Sequence, residues 1–146
     1  MANYEGHARS NYVKLDPKKM DALGYLFPIS FHTREEDGRT CIMSDDEFGT
    51  PGCELFDDAD LWHALETLTG DDKWSGGDRV EFLDVVHHAF ADDPEDGLFV
   101  WMEVGFEKLR YLTGFATAID ETGEVVNQVS LSDIYDMEGV LTRAEY

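Results

Sequence analysis

The sequence predicts an α+β fold: a single domain in which a mostly antiparallel sheet carries three to four packed helices. Segments with helical spacing of apolar residues alternate irregularly with strand-like segments, without a strict strand–helix–strand repeat. Two short turns that end in glycine join neighbouring strand-like segments, as in hairpins. The length of 146 residues and the 42% hydrophobic content suit one folded domain with a real core.

The first elements follow from local signals. Residues 11–15 alternate apolar and polar side chains, which predicts a short strand. Asp16 is a good N-cap and Pro17 suits the first helical position, so a helix should begin there and end before Pro28. Two strands, 29–33 and 39–43, should then form a hairpin around an Asp-Gly turn.

The middle of the chain is predicted to hold a loop and two helices. Residues 44–57 indicate a loop with a short strand near 53–56, after which Asp57 or Asp58 should cap a helix closed by Gly70. A loop, 71–77, should follow. The spacing of a capping box at 78–81 then predicts a third helix to about residue 91.

The last third is predicted to be rich in strands. Residues 98–104 form a nearly continuous apolar run, typical of a buried central strand, interrupted only by Glu103. Strands 111–119 and 124–130 should form a second hairpin, and a short helix, 134–138, should end at Gly139.

Charge is the most informative property of the composition. The formal net charge is −21, and residues 35–96 contain twenty acids against three bases. Such a charge repels phosphate, so we expect no direct binding to nucleic acid or to an anionic membrane surface. No segment has the roughly 18 to 20 consecutive apolar residues of a membrane span, and the first ten residues lack the pattern of a secretory signal. We therefore expect a cytoplasmic protein.

Catalytic and metal sites are not indicated. The sequence has none of the Gly-rich or nucleophile motifs of common enzymes, and adjacent His87 and His88 point in different directions on a helix. Cys41 and Cys53 lack zinc-ligand spacing and are expected to be reduced thiols. We predict a protein that is not an enzyme and has no cofactor and no metal, although a hydrolase that uses clustered carboxylates and Mg²⁺ stays an alternative.

Three interpretations of the acidic clusters stay open. They could form a solvated face without a specific partner, an adaptation to high salt, or an imitation of nucleic acid, which carries one charge per about 1.7 Å of duplex axis. A fourth possibility is a module that binds protein through an aromatic patch built from Trp62, Trp74 or Trp101, with the acids serving solubility or salt adaptation.

Two motifs carry a resemblance to a known group of proteins. Residues 8–13, with the sequence ARSNYV, and residues 102–119, which begin MEVGFEKLRYLTG, resemble a family of small, mostly uncharacterised acidic proteins of phages and plasmids. The resemblance covers about the first 27 and the last 60 residues. It implies a mobile-element context, in which small acidic proteins are similar to anti-restriction or anti-CRISPR inhibitors.

Together, charge and resemblance predict an inhibitor that mimics nucleic acid and occupies a basic nucleic-acid-binding protein, such as a host defence nuclease. The partner-binding residues that the sequence predicts are Asp45, Asp46, Glu47, Asp57, Asp58, Asp60, Asp71, Asp72, Trp74, Asp92, Asp93, Glu95 and Asp96.

Overall fold

The computed structural model describes residues 5–56, 58–71, 74, 76–91, 97–107, 111–136 and 138–139. In these residues the protein is α+β, with one six-stranded antiparallel sheet, as the sequence predicts. The strands are β1 (Glu5–Ser10), β2 (Ile29–Thr33), β3 (Thr40–Ser44), β4 (Gly52–Glu54), β5 (Arg79–Glu81), β6 (Phe99–Glu107), β7 (Tyr111–Ile119) and β8 (Val125–Ser130). The helices are α1 (Pro17–Leu26), α2 (Ala59–Thr69), α3 (Phe82–Val85) and two 3₁₀ helices, Val86–Ala89 and Leu131–Asp136.

The large sheet has the order β2-β3-β1-β6-β7-β8, and β4 pairs with β5 in a separate two-stranded sheet. Helices α1, α2 and α3 cover one face of the large sheet, which we call the inner face. Its centre is the fully buried indole of Trp101. The centroid of this ring lies 4.6 Å from that of Phe82 and 6.3 Å from that of Phe99. Leu23 of α1 and Leu65 of α2 belong to the same buried cluster. The opposite, outer face has no helical layer among the described residues.

Four predicted elements are confirmed. Helix α1 begins after Asp16, whose carboxylate accepts a hydrogen bond from the Lys18 backbone N–H. Helix α2 is capped by Asp58 and ends at Gly70, which adopts the left-handed conformation with φ of 71°. The two predicted hairpins, β2–β3 and β7–β8, are also present.

Other predictions were wrong in position or type. The first strand is β1, whereas residues 11–15 make only isolated bridges through Val13 and Leu15. The predicted third helix is instead strand β5, then the one-turn helix α3 and a 3₁₀ helix. The last helix is a 3₁₀ helix that begins at Leu131, because the Asp133 carboxylate accepts hydrogen bonds from the backbone N–H and hydroxyl of Ser130.

The strand predicted to be buried on both sides is buried on one side only. Strand β6 lies inside the sheet and places Trp101 in the core, but Met102, Val104 and Phe106 on its outer side are exposed. In the described part of the chain, no helix is long and apolar enough to cross a bilayer.

Candidate partner-binding surface

Two of the predicted acidic clusters each lie near the C-terminal end of α1. The first follows β3, where the backbone N–H of Asp45 donates to the carbonyl of Pro28, two residues beyond the helix. The second begins α2, where Asp60 lines the same surface groove as Tyr25 of α1. We call Asp45, Asp46, Glu47, Asp58 and Asp60 the acidic end.

The loop of the first cluster is held by short local hydrogen bonds. Asp46 accepts from the backbone N–H of Phe48, and the Ser30 hydroxyl donates to Asp45 at 2.6 Å. The carbonyl of Glu47 accepts from the N–H of Gly6, which ties the loop to the start of β1. These contacts fix the backbone and leave the carboxylates of Asp45 and Glu47 at the surface.

In the second cluster, the carboxylate of Asp58 has a structural role and that of Asp60 does not. Asp58 caps α2 by accepting from the backbone N–H of Asp60 at 2.9 Å. The Asp60 side chain is exposed, and a negative charge here is favoured by the dipole of α2. Partial desolvation of Tyr25, together with the charges of Asp60 and Asp58, raises the pKa of that phenol.

None of the five carboxylates of the acidic end forms an ion pair within the described part of the chain, and Lys18, which lines the same groove as Asp60, lies at the opposite end of α1. Several of these charges also lie beside the C-terminus of α1, where the helix dipole is negative and disfavours them. The arrangement therefore costs folding stability, and it is the kind of surface that a cationic partner would stabilise.

Three exposed aromatic side chains accompany these acids. Tyr25, Phe48 and Phe56 expose 55%, 60% and 65% of their surface. Phe48 directly follows Glu47, Phe56 lies two residues before Asp58, and Tyr25 lies beside Asp60. Large aromatic side chains are enriched at protein-binding surfaces.

These three aromatic residues are not among those that the sequence predicted to bind a partner; the aromatic residues predicted there are tryptophans. A signal was available for Phe48 and Phe56, since both adjoin acid runs in loops rich in glycine or proline. Tyr25 offered none, because a tyrosine on a helix packs inward or outward according to tertiary contacts.

The three tryptophans lie in the hydrophobic core or pack against it. Trp101 is fully buried, and Trp62 and Trp74 pack against the core from partly buried positions. The indole N–H of Trp74 lies 3.5 Å from the Thr69 hydroxyl. An aromatic patch centred on Trp101 is therefore excluded, and the role of Trp74 in partner binding stays a prediction.

Of the remaining predicted acids, the structure describes one, Asp71, and places it away from the acidic end. Asp71 follows the opposite end of α2, about 16 Å along an eleven-residue helix. The other predicted acids lie outside the described residues: Asp57, Asp72, Asp92, Asp93, Glu95 and Asp96.

The described residues contain no group of three or more His, Cys, Asp or Glu side chains arranged to hold a metal ion. Cys41 and Cys53 are buried free thiols. The rings of His87 and His88 lie 4.0 Å apart, and partial burial lowers the pKa of both. This pair sits under the β7–β8 turn, where the ring of His87 contacts Gly123.

No family model, curated protein or solved structure matches this chain. The resemblance to proteins of mobile elements thus stays a prediction, and function must be argued from the surface.

Proposed function

We propose that this protein is a non-catalytic inhibitor of a mobile element that binds a basic nucleic-acid-binding protein, such as a host defence nuclease, and occupies its nucleic-acid site. One observation carries the proposal: two acidic clusters, about a dozen residues apart in sequence, both lie near the C-terminal end of α1 without an ion pair among the described residues, and Tyr25, Phe48 and Phe56 are exposed next to them.

The carboxylates and the aromatic rings would contribute to binding in different ways. The carboxylates would replace the phosphates in a basic groove and speed association through long-range attraction. The aromatic rings would supply buried apolar contact, which charge alone does not provide. No turnover is needed for such a protein to act.

The proposal is tested by capture of host nucleic-acid-binding proteins on the immobilised protein, with duplex DNA as competitor. A captured nuclease should be released by DNA and by raising the salt from about 0.1 M to about 1 M, which shortens the screening length from about 10 Å to about 3 Å. Its cleavage of DNA should be inhibited by the free protein.

A variant with four neutralised acids locates the surface: Asp45→Asn, Glu47→Gln, Asp58→Asn and Asp60→Asn. Asparagine at position 58 preserves the helix cap, so the fold should be retained. Affinity for the captured nuclease should fall about tenfold to a hundredfold, since each exposed charge pair contributes up to about 1 kcal/mol.

The matched control removes four acids from the opposite end of the sheet: Glu35→Gln, Glu36→Gln, Glu121→Gln and Glu124→Gln. These exposed side chains lie in or beside the β2–β3 and β7–β8 turns, so the net charge changes equally while the acidic end is intact. Equal loss of affinity in both variants would mean that only total charge matters, and it would contradict the proposed surface.

A further inference from the structure

The outer face of the sheet carries an apolar groove that is separate from the acidic end. The register aligns Arg9, Met102, Ala116 and Val129 in one row across β1, β6, β7 and β8. The next row contains His7, Val104 and Gly114, and Leu131 lies against Gly114. The small residues of β7 thus form a floor between taller apolar walls.

The groove is exposed, and its floor and walls are apolar; the charged Arg9 lies beside Met102 on the β1 side. Its walls include Met102, Val104, Val129 and Leu131, which expose between 44% and 59% of their surface. Its main section has a volume of about 250 Å³ and continues past Ala116 and Val129 into a second section of about 160 Å³. Glu103 also borders it, but its carboxylate accepts hydrogen bonds from Thr50 in another direction.

The dimensions match one α-helix. The backbones of β6 and β8 are two strand spacings, about 10 Å, apart, and the wall side chains narrow this gap, so the groove admits the apolar side chains along one face of a helix. The apolar strip from Leu112 to Ala118 is about 20 Å long, the length of a helix of about 13 residues.

The charges around the groove specify the partner further. Exposed acids flank both ends of β8: Glu121 and Glu124 precede it, and Asp133, Asp136 and Glu138 follow it. The two rows across the groove contain one arginine and no lysine, Arg9 on β1, so the exposed acids around the apolar strip outnumber it. The apolar strip with its acidic borders is complementary to a helix with one apolar stripe and basic residues beside that stripe.

We infer that this groove binds a cationic amphipathic helix of a partner protein. A partner strand added to β8 is disfavoured, because its N–H groups at Gln128 and Ser130 already donate to the side chains of Asn127 and Asp133. A second copy is disfavoured as well, because it brings another net charge of −21 and its long helices α1 and α2 are packed into its own core.

The inference is tested with a synthetic helix as the probe. A labelled peptide of about 14 residues carries leucine at helical spacing and lysine elsewhere. A control peptide of the same composition alternates leucine and lysine, which favours a strand. Binding is measured by fluorescence anisotropy at about 0.3 M salt, where non-specific attraction is screened, and amide shifts in NMR spectra map the contact.

The helical peptide should bind more tightly than the alternating one and shift amides of β6, β7 and β8. The variant Val104→Thr/Val129→Thr keeps side-chain shape while making both walls polar, and it should weaken binding by about tenfold. The matched control, Val125→Thr/Val126→Thr, changes two valines of β8 that are 52% and 47% exposed and do not line the groove. It should change affinity by less than about twofold.

Equal binding of the two peptides, or equal loss in the two variants, would overturn the inference. So would a dimer in sedimentation experiments that the groove variant dissociates, since a second copy would then occupy the groove. The proposed function can fail independently, because its test depends on the acidic end and leaves these valines unchanged.

Discussion

At the scale of single residues, Thr50 explains why an acid interrupts the apolar strand β6. Its hydroxyl donates to the Glu103 carboxylate at 2.8 Å and accepts from the indole N–H of Trp101 at 2.8 Å. The backbone N–H of Thr50 donates to the same carboxylate oxygen. The loop after the acidic cluster is thereby fixed to the core, and Glu103 has a structural role that its sequence context did not indicate.

Replacing Thr50 with valine should lower the free energy of unfolding by about 1 to 3 kcal/mol, because the buried indole N–H of Trp101 loses its acceptor. Thr50→Ser keeps the hydroxyl and should cost less. Urea unfolding followed by tryptophan fluorescence compares the two variants. A larger loss in Thr50→Ser than in Thr50→Val would indicate that the methyl group, and not the hydrogen bond, is what matters at this position.

At the scale of elements, the sequence correctly predicted those helices whose ends are set by interactions between residues close together in the chain. Helices α1 and α2 are set by their own caps and apolar stripes, so Asp16, Asp58 and Gly70 sufficed to place their ends. Strand β5 depends on a distant partner: Val80 pairs with Cys53, and Arg79 forms ion pairs with Glu81 at 2.6 Å and Glu54 at 3.5 Å. The spacing of residues 78–81 also fits a helix start, so only the tertiary pairing decides between the two.

The 3₁₀ helix Val86–Ala89 should make stability depend on pH. Burial lowers the pKa of His87, with a further contribution from His88; nearby Asp120 and Asp84 oppose the shift. Burial and Lys19 lower the pKa of His88. The unfolded chain then binds protons more readily than the folded one, so stability is fully present above about pH 6.5 and declines as the pH falls below it.

Thermal unfolding between about pH 7.5 and pH 5.5 measures this effect, since carboxylates titrate mainly below that range. The melting temperature of the native protein should fall with the pH, and the slope should be much smaller in His87→Gln/His88→Gln. A variant with an unchanged slope would assign the dependence to other groups. The readout is the slope, so any general loss of stability in the variant does not affect the conclusion.

At the scale of the whole molecule, the composition gives the net charge, but it does not predict which acidic clusters lie close together in the fold. The acids that follow β3 and those that begin α2 are about a dozen residues apart in sequence, and they become neighbours only through α1. The groove was hidden for a related reason. A continuous apolar run predicts burial on both faces, and the run in β6 does not reveal that the described fold packs its α-helices against one face only.

The response to salt separates a binding surface from an adaptation to high salt. A salt-adapted protein should unfold at low ionic strength, whereas this chain has a buried core that extends from Ala8 to Ile119 and should stay folded. Between about 10 mM and about 1 M salt the screening length falls from about 30 Å to about 3 Å, so the melting temperature should rise as repulsion within the acidic end weakens.

Circular dichroism at both salt concentrations measures this response. The rise should be smaller in the variant that neutralises the acidic end than in the control with four acids removed from the opposite turns, because close like charges repel most strongly. Equal rises would mean that the repulsion is spread over the whole surface. Loss of the fold at low salt would favour adaptation to high salt. The acids of the acidic end would then serve to keep the protein folded and hydrated in salt and not to bind a partner.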